Sequence, residues 1–453
     1  MPETGEEGSD FCPRCPRCLP GLFLLFLLLL LAACGFSSAS QQTTLVFWHA
    51  WPSPDHHILA HLIDRYNQTH PTTQVIPQAM SLASLTRELR AAALAGSGPH
   101  LVLLHNHTIG ALAQGEFLLP LDHLVAPEDY AALLPTAVQG AQVTLPDGTT
   151  HLYGIPLTFD TLALYYHKGQ VRSPPEDVET LLQVARDLTS ETFQPPGWGL
   201  ACTLSLDKTI GYLPAFGGQV FDSQGNLVLG TTGRPGTERW LRWLATLRQD
   251  RHILAVSDSI TVDSALKARQ AMMTIDWSHA LPVYQALWDD ALGVAPLPQV
   301  RATGQSPRPY VQSYVLSLNA RVLENRAEQD AALDFVRYLV SEDAQEVLLE
   351  AGKQPVLLTI HPDSPTTSAP ATTIAAALVF RLQAQQGQAM PDTRTANAIV
   401  RDELEKMQLA VLRGLATPSD AVTHAEQALR DRLGHLERSP QGNMAEPGPE
   451  MRY

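Results

Sequence analysis

The chain has 453 residues and a formal charge of −15, from 31 basic and 46 acidic side chains. This shortage of basic residues excludes the positive surface that a nucleic-acid partner needs. Apolar residues at 45% and charged residues at 17% exclude a disordered chain and indicate a globular protein, long enough for two or three domains.

The N-terminal region has the pattern of an export signal. An uncharged apolar run over 22–32 is too short to span a bilayer, which takes about 20 residues, but has the length of a signal-peptide core. The Leu-Ala-Ala-Cys stretch ending at Cys34 resembles the lipobox of bacterial lipoproteins. That resemblance implies a signal peptide over 1–33, acylation of Cys34 and a lipid anchor on the extracytoplasmic face of the cell membrane.

Two other interpretations of this region remain open. One is an uncleaved anchor or a signal cleaved elsewhere. Residues 1–10 carry acids where a signal usually carries bases, which agrees with a true start downstream of Met1. Alternatively, Cys12, Cys15 and Cys18 have the spacing of zinc ligands, but a closed zinc site needs four ligands and a surrounding fold. We therefore expect no metal and no cofactor.

After a polar tether over 34–42, short apolar runs alternate with helical periodicity. The first predicted elements are strand 45–48, helix 56–68, strand 73–79, helix 82–94 and strand 101–104. This alternation is typical of a parallel sheet covered by helices. The later predictions are strands at 153–156, 162–166, 199–203, 271–275, 292–295 and 310–318, and helices at 176–188, 234–247, 327–339, 341–349, 371–385 and 393–433. A disordered tail is expected over 437–453.

A series of segments, in chain order, resembles one known family. These are TLVFWHAW, GSGPHLVLLHN, DGTTHLYGIPLTFDTLALYYHKG, AFGGQVFDSQGN, ALKARQAMMTIDWSHA, LGVAPLP, YVQSYVLSLNA, AALDFVRYLVSEDAQ, GKQPVL and VLRGLATPSDAVTHAEQALRDRL. Over 43–433 the chain resembles the extracellular solute-binding proteins, family 1, of sugar ABC transporters, which include maltose-binding protein. Two positions depart from that pattern, since His100 replaces an Asp and Gln270 replaces a glycine.

The resemblance implies an α/β fold of the two-lobed, type 2 periplasmic-binding-protein class. Each lobe is expected to be a mainly parallel sheet flanked by helices, and the chain to cross between lobes several times. Hinge segments would let the lobes close on a ligand. The expected boundaries are 43–156 and 316–359 for lobe one, 159–309 and 366–436 for lobe two, and 157–158 and 311–315 for the hinge.

The function implied is that of a monomeric receptor, not an enzyme. It would capture a sugar or oligosaccharide and deliver it to the permease subunits of an ABC importer. One alternative is a secreted carbohydrate-active hydrolase, which needs two carboxyl groups at one bond and could use Asp160 and Asp276. Another is the same fold binding a polyol phosphate, a peptide or a metal. No candidate ligand residue is Arg or Lys, which favours a neutral ligand over a phosphate.

Candidate ligand-binding residues follow the strands, because ligands of open α/β sheets bind beyond the carboxyl ends of strands. His49 and Trp51 follow the first strand, and Trp51 is expected to face the ligand rather than the core. His105 and Asn106 follow the third strand, where the alternative is a solvated turn capped by Asn106.

The resemblance adds further candidates. Asp160 would accept hydrogen bonds from sugar hydroxyls, with a turn-forming role as the alternative. Trp277 would stack on a sugar ring. The remaining candidates, with a turn or the core as their alternatives, are Gly217 and Gly218, whose backbone amides would approach the ligand, and Tyr310 and Tyr314 at the second crossover. A metal role for His56, His57 and His61 lacks a third ligand on the same face, so a solvated helix surface is favoured.

Overall fold

The computed structural model describes residues 42–51, 55–189, 197–320, 325–360 and 367–438. The predictions for the signal peptide, for Cys12, Cys15, Cys18 and Cys34, for most of the tether and for 439–453 lie outside these residues. Within the described ranges, no helix combines the length and the apolar character that crossing a membrane requires.

Strands and helices alternate along the chain, as predicted. The strands are β1 (Thr43–His49), β2 (Thr73–Ala79), β3 (Leu101–His105), β4 (Gln142–Thr144), β5 (Thr150–Leu152), β6 (Ile155–Asp160), β7 (Leu162–His167), β8 (Leu200–Thr203), β9 (Ile253–Val256), β10 (Met273–Trp277), β11 (Leu292–Ala295), β12 (Tyr310–Leu318), β13 (Gln354–Pro355) and β14 (Gln388–Ala389). The helices are α1 (His56–Thr69), α2 (Leu82–Leu94), α3 (Asn106–Gln114), α4 (Pro127–Ala131), α5 (Pro135–Gly140), α6 (Val178–Leu188), α7 (Leu206–Thr209), α8 (Tyr212–Ala215), α9 (Arg234–Gln249), α10 (Ser259–Lys267), α11 (Leu281–Trp288), α12 (Arg326–Leu339), α13 (Glu342–Glu350), α14 (Ala371–Gln386), α15 (Thr395–Leu412) and α16 (Pro418–Arg438).

The first sheet has the strand order β13-β6-β12-β3-β1-β2, with β14 beside β12. Strands β2, β1 and β3 run parallel, whereas β12 pairs antiparallel with both β3 and β6. The expectation of a mainly parallel sheet is therefore wrong, because β12 enters this layer from the opposite end. Alternating apolar residues of β1 pack under the sheet, where the Phe47 ring meets Phe335 of α12 edge-on at 5.7 Å.

The second sheet has three strands in the order β10-β7-β11, and β7 runs antiparallel to both neighbours. Strands β8 and β9 form a separate parallel pair, and an isolated bridge links Trp198, just before β8, to Ala271, just before β10. Only Thr161 separates β6 of the first sheet from β7 of the second. The chain therefore crosses from one sheet to the other at the end of β6. A second apolar core surrounds the fully buried Trp240 of α9.

Most predicted elements agree with the structure to within two residues at each end, and two differ more. The predicted helix 393–433 is divided into α15 and α16, because Gly414 adopts a left-handed backbone conformation with φ of 69° and ends α15. The predicted strand 153–156 is β6, which begins later and continues to Asp160. The expected hinge segment 157–158 therefore lies inside a strand.

Candidate functional site

The carboxyl ends of β3 and β6 flank the first half of β12, one on each side. In the strand register, Tyr314 of β12 is opposite His105 of β3, and Gln312 of β12 is opposite Asp160 of β6. Because side chains two residues apart on a strand share a face, these four side chains point to the same side of the sheet. We call His105, Asp160, Gln312 and Tyr314 the strand-end cluster.

The burial of β12 agrees with this arrangement. Residues 310, 312 and 314 are half-buried, and the residues between them, Val311 and Ser313, are fully buried. The face that carries the strand-end cluster is thus the one that still reaches solvent. The structure brings together three of the predicted site residues here: His105, Asp160 and Tyr314.

His105 lies against aromatic neighbours. Its ring centroid is 4.1 Å from that of Tyr314 and 5.2 Å from that of His107 on α3. Burial, and next the nearby His107, lower the pKa of His105 to about 3. The imidazole is therefore neutral at physiological pH and offers one donor and one acceptor nitrogen.

Asp160 is the negative group of the cluster. The Ser278 hydroxyl donates a hydrogen bond to Oδ1 of Asp160 at 2.7 Å, and Nδ1 of His279 lies 3.6 Å from the same oxygen. Burial alone would raise the pKa of Asp160, but the charge of His279 and the hydrogen bonds outweigh it and hold that pKa below its ordinary value. Asp160 in turn raises the pKa of His279, against the opposing effect of burial. The carboxylate is therefore ionised and can accept further hydrogen bonds.

Trp277 ends β10 of the second sheet and directly precedes Ser278, the partner of Asp160. Its backbone carbonyl accepts a hydrogen bond from the Tyr165 hydroxyl at 2.8 Å. Its indole is only partly buried against the second core. Trp277 therefore keeps part of an aromatic surface at the strand end next to the cluster.

Trp51 is more deeply buried than the sequence suggested. Its side chain is 2% exposed, its ring meets Tyr314 edge-on at 5.7 Å, and Nζ of Lys353 lies 5.7 Å from the ring centroid. Lys353 also forms an ion pair with Asp55. A cation from a distant part of the chain therefore covers one side of the Trp51 ring, and its role in ligand binding stays a prediction.

His49 is also buried, with 4% of its surface exposed. Its ring contacts that of His56 at 5.2 Å, and burial, and next the nearby His56, lower the pKa of His49 to about 4. His57 and His61 are exposed on α1. Across the described ranges, no group of three or more His, Cys, Asp or Glu side chains is arranged to hold a metal ion.

The Asn106 side chain bonds two backbone groups of the protein instead of facing solvent. Its amide nitrogen donates to the carbonyl of Met390 and its amide oxygen accepts from the backbone N–H of Ser313, each at 3.0 Å. It is 2% exposed and begins α3, so the alternative of a solvated turn at this position is wrong. Because the side chain is buried and both amide atoms bond backbone groups, we do not include Asn106 among the proposed ligand contacts.

The glycine pair has a local role. The amide of Gly217 donates to the carbonyl of Pro214 at 2.8 Å, and that of Gly218 donates to the carbonyl of Leu213 at 2.9 Å. These bonds end α8, and Gly217 has the positive φ of 79° that such an ending favours. The two amides are therefore not available to a ligand, contrary to expectation.

The side chains of Tyr310 and Asp276 are both occupied by contacts within the protein. Tyr310 packs partly against the second core, where burial raises the pKa of its hydroxyl to about 12. Asp276 accepts hydrogen bonds from Lys208 at 2.6 Å and from the Tyr284 hydroxyl at 2.8 Å, one on each carboxylate oxygen. This carboxylate therefore holds three elements of the fold together.

Sequence reasoning missed Gln312, Ser278, His279 and Lys353. For Gln312 a signal was present, because the period of two along the predicted strand 310–318 places it on the same face as Tyr314. For Lys353 no local signal exists, since its contact with Trp51 depends on the fold.

Comparison with known proteins agrees with this architecture. A sequence model of bacterial extracellular solute-binding proteins matches residues 61–375. The chain is 23% identical over 324 residues to a maltotriose-binding protein of Pyrococcus abyssi. The aligned region covers 69% of this chain and 66% of the relative, so the chain spans just under two thirds of the relative's length.

Solved structures show the same fold. A maltose/maltodextrin-binding domain from Bdellovibrio bacteriovorus, bound to maltotriose, matches with a TM-score of 0.67 and 24% identity, covering 86% of this chain and 100% of that one. A maltose-binding periplasmic protein from Listeria monocytogenes, in complex with maltose, matches with a TM-score of 0.71 and 16% identity, covering 87% and 98%. The predicted two-lobed type 2 architecture is thereby confirmed. Because the family model matches more than half of this chain, the chain belongs to the bacterial extracellular solute-binding proteins.

Proposed function

We propose that this protein is a receptor for a neutral oligosaccharide of the maltotriose type and that it binds without catalysing a reaction. The observation that carries the proposal is the pairing of an ionised acceptor, Asp160, with a neutral imidazole, His105, on one face of the first sheet. Sugar hydroxyls donate and accept hydrogen bonds, and both capacities are present here. Trp277 supplies an aromatic surface for the apolar face of a sugar ring.

The hydrolase alternative gains no support from the carboxylates. Glycosidases place two carboxyl groups about 5–10 Å apart on either side of the bond that they cleave. Asp276, the second acid considered from the sequence, has its oxygens bound by Lys208 and Tyr284. A carboxylate held in this way is poorly suited to exchange protons with a substrate.

We also propose that the lobes close around the sugar by bending at 157–158 and 311–315. These segments belong to neighbouring strands, with Thr158 opposite Tyr314, and the register shifts immediately after Tyr314. A break in the strand register is a place where backbone angles can change without disrupting a regular ladder. The lobe boundaries 43–156, 316–359, 159–309 and 366–436 follow from this hinge.

The remaining parts of the proposal concern the cellular setting. A signal peptide over 1–33 and acylation of Cys34 would hold a monomeric receptor at the outer face of the cell membrane, beside the permease of an ABC importer. Membership of an extracellular family supports export. Metabolic labelling with a fatty acid, in the full chain and in Cys34→Ala, tests the anchor: label should enter only the first.

Isothermal titration calorimetry of the purified protein with maltotriose tests the proposed ligand. Saturable binding to the protein, weakened in Asp160→Asn, is expected. Absence of saturable heat with maltotriose, maltose and maltotetraose would refute the proposal.

A further inference from the structure

The side chain of Gln312, the member of the strand-end cluster with no role so far, lies beside two histidine rings. Its amide nitrogen lies 2.8 Å from Nδ1 of His105 and 3.3 Å from Nδ1 of His107. A primary amide carries two N–H donors, so one group can serve both rings. The two imidazoles are nearly parallel, with an interplanar angle of 24°, and the Nδ1 atoms of both lie within hydrogen-bond distance of the same amide nitrogen.

We propose that Gln312 is a positioning residue that fixes His105 and His107 as Nε2–H tautomers, so that His105 presents a hydrogen-bond donor to a sugar oxygen. A ring nitrogen that accepts a hydrogen bond carries no proton, and a neutral imidazole then carries its proton on the other nitrogen. With Nδ1 accepting from Gln312, Nε2 of His105 is the donor.

The surroundings of the two rings favour the neutral form. Burial lowers the pKa of His107 to about 4 and that of His105 to about 3. The charged groups that act on His105 are Asp160 and His279, and those that act on His107 are Asp207 and Arg401. Asp207 and Arg401 form an ion pair with each other, which limits their net effect on His107.

This arrangement has a consequence for recognition. Asp160 offers only acceptor oxygens, whereas His105 in this tautomer offers a donor in the same cluster. The cluster would therefore accept a hydrogen bond from a sugar hydroxyl at Asp160 and donate one to another sugar oxygen at His105. These two positions would distinguish sugars by where their oxygens lie. This inference rests on the proposed function only in its choice of ligand, since the tautomer exists in the unliganded protein.

Nitrogen-15 NMR of the histidine rings in the unliganded full chain tests the inference. The signals of His105 and His107 are assigned from their loss in His105→Phe and His107→Phe. We expect the protonated nitrogen to be Nε2 in both rings of the wild-type protein and this uniform pattern to be lost in Gln312→Met. Gln305→Met, at an exposed glutamine, is the matched control and should leave the pattern unchanged. Protonation of Nδ1 in the wild-type rings would overturn the inference.

A double-mutant cycle with maltotriose separates positioning from direct contact. Gln312→Met and His105→Phe should each weaken binding by about 5- to 10-fold, the range expected for one hydrogen bond, and the double variant should be no weaker than His105→Phe alone. Additive losses would show that Gln312 contacts the sugar itself and would overturn the positioning role. If maltotriose does not bind at all, the proposed ligand is refuted, while the tautomer measurement still decides the role of Gln312.

Discussion

Ser278 donates a hydrogen bond to Oδ1 of Asp160 over 2.7 Å and so joins the second sheet to the first. Asp160 is the last residue of β6, and Ser278 follows the last residue of β10. A single carboxylate therefore lies where the two sheets meet, with His279 beside it. This is the location at which a ligand held by both lobes would meet a charged acceptor.

Asp160→Asn should weaken maltotriose binding by about 10- to 100-fold, because it replaces a charge-assisted acceptor by a neutral amide. It should also lower the pKa of His279, which Asp160 raises in the wild-type protein. Calorimetry and an NMR pH titration of His279 measure the two effects. Asp122→Asn, which removes the acid of the partly exposed pair with His151, is the control and should change neither. An unchanged affinity in Asp160→Asn would remove Asp160 from the site.

Trp277→Ala should weaken binding by about 10- to 100-fold, since a buried aromatic contact contributes roughly 1.5–3 kcal/mol. Trp277→Phe should recover part of the loss. The matched control is Trp198→Ala, because Trp198 is half-buried and pairs with Ala271, near the opposite end of the same strand. Equal losses in Trp198→Ala and Trp277→Ala would indicate general damage to the second lobe instead of a lost ligand contact.

Acid should destabilise the protein through its buried histidines. The pKa values of His49, His105 and His107 are lowered to about 4, 3 and 4, whereas an unfolded histidine titrates near 6.5. Between these values the unfolded state binds more protons, so stability falls as the pH is lowered, by up to about 1.4 kcal/mol per pH unit for each group. The raised pKa of His279 acts oppositely: its contribution is complete below 6.5 and is lost as the pH rises through the raised value.

Urea unfolding at pH 6.5, 5.8 and 5.0 measures this dependence. His49→Phe should reduce the slope in this range, because it removes one of the histidines whose pKa burial lowers. His57→Phe, at an exposed position, is the control and should leave the slope as it is. A stability that stays constant from pH 6.5 to 5.0 would contradict the burial of neutral histidines.

Gln345→Leu should destabilise the fold by about 3 kcal/mol, because it leaves buried backbone groups without partners. The Gln345 side chain is fully buried; it donates to the carbonyl of Leu157 at 3.0 Å and accepts from the N–H of Val356 at 2.9 Å. Leu157 is the residue of β6 passed over where the register with β12 shifts. Urea unfolding of Gln345→Leu, with the exposed Gln305→Leu as control, measures the cost. A loss of stability as small as that of the control would mean that Gln345 does not stabilise the register shift between β6 and β12.

Local elements could be predicted where the sequence carries its own start and stop signals. The predicted bounds of α2 agree with the structure, because Ser81 caps the helix by accepting from the N–H of Ser84 and Gly96 follows its end with a φ of 65°. The antiparallel pairing of β12 with β3 and β6 could not be predicted. It depends on pairing Tyr314 with residues of β3 and β6, which lie far away in the chain.

The candidate site could be predicted only in part for the same reason. His105, Asp160 and Tyr314 follow or lie on strands, and strand ends meet whenever the sheet forms. Trp51 also follows a strand, but the Lys353 side chain that covers it comes from another part of the fold. The amides of Gly217 and Gly218 are occupied by a local turn, which the glycine pair alone does not distinguish from a ligand site.

The proposed receptor binds a malto-oligosaccharide without turnover. Calorimetric titration of the purified protein with maltotriose, followed by chromatography of the recovered sugar, tests it most directly. We predict saturable binding with a single site and recovery of intact maltotriose. Release of glucose or maltose, or the absence of saturable heat, would contradict the account.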